Sequence, residues 1–343
     1  MAIQEVQKQE QKKLSKQSEE SINKKSSKSK FAFLLLIFPV GLLVFYTLTS
    51  IQTKEASNKQ FVEETSGSYA IYSINIPEKL EFANERVPLE NYDVYETIDR
   101  EFLVNTFWQS QTILFLKRAN KYFPIIEPIL KENNIPDDFK YLAVIESGLT
   151  NARSPSGAKG FWQFLKKTGQ EYHLEVNNEV DERYNLEKST QAACDYFNEA
   201  YKKFNNWTLV AASYNMGKSG LNKQLSRQIT NNYWDLLLND ETSRYVNRII
   251  AVKTIMSDPE TFGFHVRKKD MYQYIPTTTI EVDTIIDNLT MFAYQNGVNY
   301  KILKNLNPWL RQRYLKNKYK KKYTFKLPVE GYRNFNIPDS LKN

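Results

Sequence analysis

The sequence predicts a mainly α protein with a small mixed α/β module at its C-terminus and one membrane-spanning helix near its N-terminus. Three patterns carry this expectation. Apolar residues recur at helical spacing between about residues 100 and 260, a strand–helix–helix–strand pattern occupies about 277–328, and Phe31–Ile51 runs for 21 residues without a charge.

The uncharged run comes first in the chain. At ~1.5 Å per residue it is long enough to cross a hydrocarbon core of ~30 Å. Pro39 and Gly41 lie inside it, as membrane helices tolerate. Eight lysines precede it, whereas only Lys54 and Lys59 follow closely, so the positive-inside rule places residues 1–30 in the cytoplasm and the rest outside. The expectation is a single-pass protein of the inner membrane whose folded part faces the periplasm or cell wall. A cleaved signal peptide is the competing reading. It would need an unusually long n-region, and Thr47-Leu48-Thr49-Ser50 is a poor small-residue cleavage site. No cysteine stands after the run at a position suited to lipid attachment.

Residues 52–68 are polar, and 69–99 mix short apolar runs with Pro77 and Pro88. The whole of 52–99 therefore reads as linker and juxtamembrane segment. A helical domain is expected over 100–265. Pro124 and Pro128 punctuate its first stretch, and Asn133-Asn134 ends it. The next helix opens at Pro136-Asp137-Asp138, where proline and acids suit a first turn, and closes at Gly148. Phe139, Leu142, Ala143 and Glu146 fall at i, i+3, i+4 and i+7, which puts Glu146 on the apolar stripe. Ala193, Tyr196, Phe197, Ala200, Tyr201 and Phe204 form another apolar face. Trp207, Val210, Ala211 and Tyr214 form the next, closed by Asn215-Met216-Gly217. Glu241, Tyr245, Arg248, Ile249 and Val252 share a last face, ended by Asp258-Pro259. The C-terminal module, 272–330, reads as a strand in Thr277–Ile286, two short helices around Gly297 and a strand at Tyr323–Leu327, with a tail over 331–343.

Charge is unevenly spread. The net +8 comprises +4 on residues 1–30 and +10 on 301–343, leaving −6 on the middle of the chain. That distribution argues against nucleic acid as a partner. Aromatic residues reach 14%, which suits an aromatic core or a sugar-stacking surface alike. A single cysteine, Cys194, excludes an internal disulfide. His173 and His265 lie far apart, with no ligand spacing for a metal and no triad pattern.

A carboxylate on an apolar stripe is by itself most simply a charged residue near a helix end, satisfied by local hydrogen bonds. The alternative is a general acid whose pKa is raised by desolvation, as glycosidases require. The surroundings decide between them. Ala143-Val144-Ile145-Glu146-Ser147-Gly148-Leu149 is followed by Gly157-Ala158-Lys159-Gly160-Phe161-Trp162-Gln163-Phe164, then Ala212-Ser213-Tyr214-Asn215-Met216-Gly217, then Glu241-Thr242-Ser243-Arg244-Tyr245-Val246. In order and spacing these resemble the lytic transglycosylases of glycoside hydrolase family 23, most nearly the membrane-bound murein transglycosylase D branch. The resemblance covers about residues 100–260. Each motif is weak alone, and the four in this order are specific.

The resemblance implies a lysozyme-like catalytic domain in which Glu146 is the catalytic acid and base. It implies that Ser147 lines a subsite beside Glu146 and that Gln163 contacts substrate. Tyr214 and Asn215 would line the floor near the glutamate, and Glu241 and Tyr245 would wall the cleft. Two departures are visible. Phe161-Trp162 stands where the family's motif has Leu-Met, as the D branch shows, and Ser213 replaces an alanine. The implied activity is cleavage of the β-1,4 bond between N-acetylmuramic acid and N-acetylglucosamine in peptidoglycan strands, leaving a 1,6-anhydro end, and the resemblance implies neither a metal nor an organic cofactor. The rivals are hydrolysis of the same bond, as goose-type lysozymes perform, and a non-catalytic wall-binding scaffold. Gly297-Val298-Asn299-Tyr300 with Leu303–Pro308 resembles a LysM module that lacks the usual Gly-Asp-Thr. A small appendage packed on the catalytic domain is the equal alternative for this segment. Protein partners and oligomeric state are not legible.

Overall fold

The computed structural model describes residues 73–332. The run Phe31–Ile51, the basic segment 1–30 and the end of the tail lie outside the described residues. Among those described, no helix is long and apolar enough to cross a membrane.

Helices dominate, and their apolar faces meet in one core. α1 (Tyr92–Phe107) is followed directly by α2 (Gln109–Glu132), then a short 3-10 turn (Asp137–Phe139) leading into α3 (Lys140–Ser147). Pro124 and Pro128 lie within α2 without ending it. α4 (Lys166–Glu171), α5 (Leu186–Phe204), α6 (Trp207–Met216), α7 (Lys218–Gln228) and α8 (Asp240–Ser257) complete the helical unit. α1 packs along α8, α2 along α5, and α6 touches both α5 and α8. Asn185, Asn206 and Asn239 cap α5, α6 and α8 by accepting a backbone N–H three residues on. α3 is the central element, with Tyr141, Leu142, Ala143 and Val144 buried.

The segment expected to be linker up to residue 99 is corrected by the structure over its second half. β1 (Glu81–Phe82) and β2 (Glu85–Arg86) form a tight hairpin through Ala83 and Asn84, both at positive φ. Leu80, Phe82, Ala83 and Val87 are buried in the main core, and α1 has begun by Tyr92. Glu85 accepts hydrogen bonds from the N–H groups of Trp207 and Thr208, at 2.6 and 2.8 Å, so it satisfies orphan donors at the start of α6. A two-residue strand is too short to show a period, which is why the hairpin leaves no pattern in the sequence.

After the helical unit come β3 (Thr277–Val282), α9 (Leu289–Gln295), α10 (Tyr300–Leu306) and β4 (Tyr323–Pro328). β3 and β4 pair antiparallel from Thr277↔Pro328 to Val282↔Tyr323. The small core they enclose contains Leu289, Leu303, Trp309, Leu315 and Phe325, and it also takes Val180 and Tyr184 from the helical unit. Backbone bonds join the two parts: Asp181 N–H donates to Trp309 O at 2.9 Å, and Arg311 N–H donates to Glu179 O at 2.8 Å. Arg311 lies 4.4 Å from the Tyr184 ring centre, and Glu175 accepts from Lys321 and Tyr323. The C-terminal module is therefore built onto the helical unit and shares its hydrophobic core with it.

Candidate active site

Glu146 lies in the last turn of α3, where the helix dipole disfavours negative charge. The helix stops at Gly148, at φ 62°. A Cβ there would sit 3.2 Å from both Gln111 and Phe115, and Arg118 donates to the Gly148 carbonyl at 2.9 Å. The end of α3 is thus packed closely on α2, and the positive φ of Gly148 disfavours any other residue there.

The carboxyl is half-buried, and its Oε1 accepts a 2.5 Å hydrogen bond from the Tyr245 hydroxyl of α8. Tyr245 is 4% exposed, so packing fixes the donor. Burial pushes the Glu146 pKa up to about 7. The Tyr245 hydrogen bond and the charge of Arg248 oppose that rise, and the charge of Glu241 adds to it. Near neutral pH a large share of Glu146 is therefore protonated, whereas an exposed glutamate would be ionised. With Oε1 engaged as an acceptor, Oε2 is the atom left to carry and donate the proton. Burial and the Glu146 charge raise the Tyr245 hydroxyl well above its usual range, so it stays a donor.

Tyr214 and Asn215 come from the end of α6. The Tyr214 hydroxyl donates to the Trp162 carbonyl at 2.7 Å, and its ring packs among Tyr196, Phe197 and Phe164. Asn215 is held from both ends: its Nδ2 donates to Glu241 Oε1 at 3.2 Å, and its Oδ1 accepts from the Thr242 hydroxyl at 2.7 Å. The amide thereby ties α6 to the first turn of α8, and Glu241 remains exposed.

The other two expected residues hold backbone. Ser147 Oγ donates to Ala143 O at 3.0 Å and accepts from Thr150 N–H at 3.3 Å. Gln163, at φ 49°, donates through Nε2 to the carbonyls of Gly160 and Ala152. Among the described residues no direct bond joins either to Glu146. The loop carrying Gln163 is fastened by Arg183, which donates to the carbonyls of Gly157 and Phe164 and forms a two-point pair with Asp181. A Cβ at Gly160 would lie 1.9 Å from the Arg183 carbonyl oxygen, so this position requires glycine.

Sequence reasoning did not single out Thr242, Arg183 or the proximity of Arg248 to Glu146. Arg248 was within reach of it, because it stands three residues after Tyr245 on the same helix. Arg183 gave no signal of its role at the loop, because the two carbonyls it fastens, of Gly157 and Phe164, lie 26 and 19 residues upstream. Among the described residues, no group of three or more His, Cys, Asp or Glu could hold a metal ion.

Two family models match the chain. The model of the transglycosylase SLT domain matches residues 123–237, and that of the soluble lytic transglycosylase C-terminal LysM-like domain matches 278–331. The chain carries an SLT domain followed by a LysM-like domain. It is homologous to the membrane-bound lytic murein transglycosylase D of Escherichia coli K12, at 30% identity over 159 residues. That stretch is 45% of this chain and 35% of the relative, so the chain spans about a third of the length of the curated relative it matches. Among solved structures, a lytic transglycosylase from Pseudomonas aeruginosa overlaps 45% of this chain and 26% of its own, at 19% identity and a TM-score of 0.35. The 70 kDa soluble lytic transglycosylase of Escherichia coli overlaps 45% and 27%, at 18% identity and the same TM-score. The SLT match ends at residue 237, so α8, with Glu241, Tyr245 and Arg248, lies beyond it, as does α1 on the other side.

Proposed function

We propose that this protein is a peptidoglycan lytic transglycosylase that cleaves the β-1,4 bond between N-acetylmuramic acid and N-acetylglucosamine, with Glu146 as its acid and base. The observation that carries the reading is the Glu146–Tyr245 pair: a carboxyl half-buried in apolar surroundings, titrating at about 7, with one oxygen fixed by a packed hydroxyl. The SLT match and the homologous murein transglycosylase support the same reaction class.

One carboxyl suffices when the substrate supplies the nucleophile. Glu146 gives its proton to the glycosidic oxygen as the bond from that oxygen to C1 breaks, and the acetamido carbonyl oxygen stabilises C1. The ionised Glu146 then takes the proton of the muramoyl C6 hydroxyl as that oxygen bonds C1. Glu146 ends protonated and no water is consumed. Tyr245 holds the carboxyl in register through both steps, and Asn215 and Glu241 brace the wall of the cleft.

Mass spectrometry of fragments released from sacculi tests this. Anhydromuramoyl ends support it, and reducing ends, heavier by one water, would instead identify a hydrolase. Glu146→Gln should lower release by at least ~10²-fold, the lower end of what general acid–base catalysis contributes. Near-normal release would reject Glu146. The uncharged run Phe31–Ile51, with its lysine-rich approach, supports an uncleaved anchor that keeps the enzyme on the outer face of the inner membrane. A soluble form starting near residue 50 would refute that anchor.

A further inference from the structure

One face of α8 carries more positive charge than the fold requires. Glu101, on α1, is fully buried. Its Oε1 accepts from Arg100 at 2.6 Å and from Arg244 at 2.7 Å, and its Oε2 accepts from Arg248 at 3.4 Å. One arginine would balance a buried carboxylate, and three converge on it. Counting Glu241 as well still leaves positive charge in excess while Glu146 holds its proton. Arg244 and Arg248 each meet Glu101 through Nε, and their side chains stay 28% and 33% exposed. Their terminal nitrogens form the fork that pairs with a carboxylate at two points.

Helix geometry sets where Arg248 stands. At ~100° per residue, it lies between the direction of Arg244, which faces α1, and that of Tyr245, which reaches Glu146. Its charge acts on Glu146 across that gap. A cation beside the catalytic carboxyl has no counterpart in the sugars of the substrate, because the glycan backbone is neutral. The negative charges of peptidoglycan are the carboxylates of the peptide attached to the lactyl group of muramic acid, the sugar whose bond is cut.

We propose that Arg248, with Arg244 beside it and Glu101 holding both, forms an anion subsite that binds a carboxylate of the stem peptide and so favours strands whose peptide carboxylates are free over strands in which they are amidated. Glu101 is the positioning residue: it contacts no substrate and sets the two guanidinium groups. The proposal rests on the reading of Glu146 as a peptidoglycan-cleaving acid.

The test compares two soluble substrates, uncross-linked glycan strands with their peptide carboxylates free and the same strands with those carboxylates amidated; stripping the peptides with an amidase would not serve, because that cut frees a lactyl carboxylate. The full-length protein is assayed on both for kcat/KM. Arg248→Gln should lose at least tenfold more on strands with free peptide carboxylates than on amidated ones, equivalent to about 1.4 kcal/mol, with most of the loss in KM. Arg244→Gln should lose in the same direction by less, and Arg248→Lys should recover part of the difference. Equal losses on both substrates would overturn the subsite and leave Arg248 as a positioning residue for Glu146. If Arg248→Gln fails to fold, salt decides on the wild-type protein. Its preference for strands with free peptide carboxylates over amidated ones should shrink as ionic strength rises, and a salt-independent preference, or none, overturns the proposal. A wild-type protein that cleaves neither substrate would instead sink the catalytic reading.

Discussion

Burying Glu146 costs stability once the group ionises, and Glu146→Gln should recover it in a pH-dependent way. The carboxyl titrates at about 7 in the folded protein, against 4.5 for a model glutamate. The folded chain therefore holds this proton more tightly than the unfolded chain. Stability from this group is full below about 4.5, falls as pH rises toward 7, and is level above that. At ~1.36 kcal/mol per pKa unit the cost reaches at most about 3.4 kcal/mol. The Tyr245 and Arg248 contacts are already included in the value of about 7, and partial solvation of the half-buried carboxyl reduces the cost to roughly 2 kcal/mol. The glutamine of the variant has the same shape, accepts the Tyr245 hydrogen bond and does not titrate. The variant should therefore match the wild type near pH 4.5 and melt about 4–8 °C higher near pH 8, at ~2–4 °C per kcal/mol for a body of this size. Thermal unfolding of both proteins across this range is the assay. Every other titrating group is common to the two, so their difference isolates Glu146. A difference that does not change between pH 4.5 and pH 8 would refute the raised pKa, and with it the account of how the acid stays protonated.

Tyr245→Phe removes the hydrogen bond that holds the Glu146 pKa down, so the alkaline limb of kcat should move up by about one pH unit, given ~1.5–3 kcal/mol for a hydrogen bond to a charged group; an unmoved limb would show that the bond does not act on catalysis. Gly160→Ala places a Cβ 1.9 Å from the Arg183 carbonyl oxygen at φ 82°. It should destabilise the fold by roughly 3 kcal/mol, and a melting temperature unchanged from wild type would contradict the described loop. Deleting the chain after residue 270 uncovers Val180 and Tyr184; the truncated protein should aggregate or melt well below the full chain, and a soluble, equally stable truncation would show the two parts to be separable.

Much of the site was legible because its residues sit at helical spacing. Glu146 on the apolar stripe of α3, and Glu241 with Tyr245 on one face of α8, are periodic facts that survive folding because the helices are regular. The cross-links between helices were not legible. Nothing in the sequence says that Glu85 will close the start of α6, or that Glu101 will gather Arg100, Arg244 and Arg248, because such pairings depend on how the helices pack. Ser147 and Gln163 show the same limit from the other side. Their positions follow the motifs, yet in the structure their polar atoms serve the backbone around the cleft. α7 escaped notice because only Leu221 of its eleven residues is buried, too little to make a stripe.

The C-terminal module shows why a family resemblance and a physical boundary can differ. Its strands and helices follow a LysM-like order, and the family match covers 278–331. A module that folds alone would close its own core. This one includes Val180 and Tyr184 from the helical unit, and its backbone bonds to residues 179–181 extend the same contact. The segment that supplies those residues also contains Asp181 and Arg183, which fasten the loop carrying Gln163. Loosening the module would therefore loosen residues 179–184, release Arg183, and reach the Gln163 loop without touching α3 or α8. The LysM-like domain is thus coupled through residues 179–184 to the loop that carries Gln163. A mutation in it should affect substrate binding through that loop before it affects the acid at Glu146.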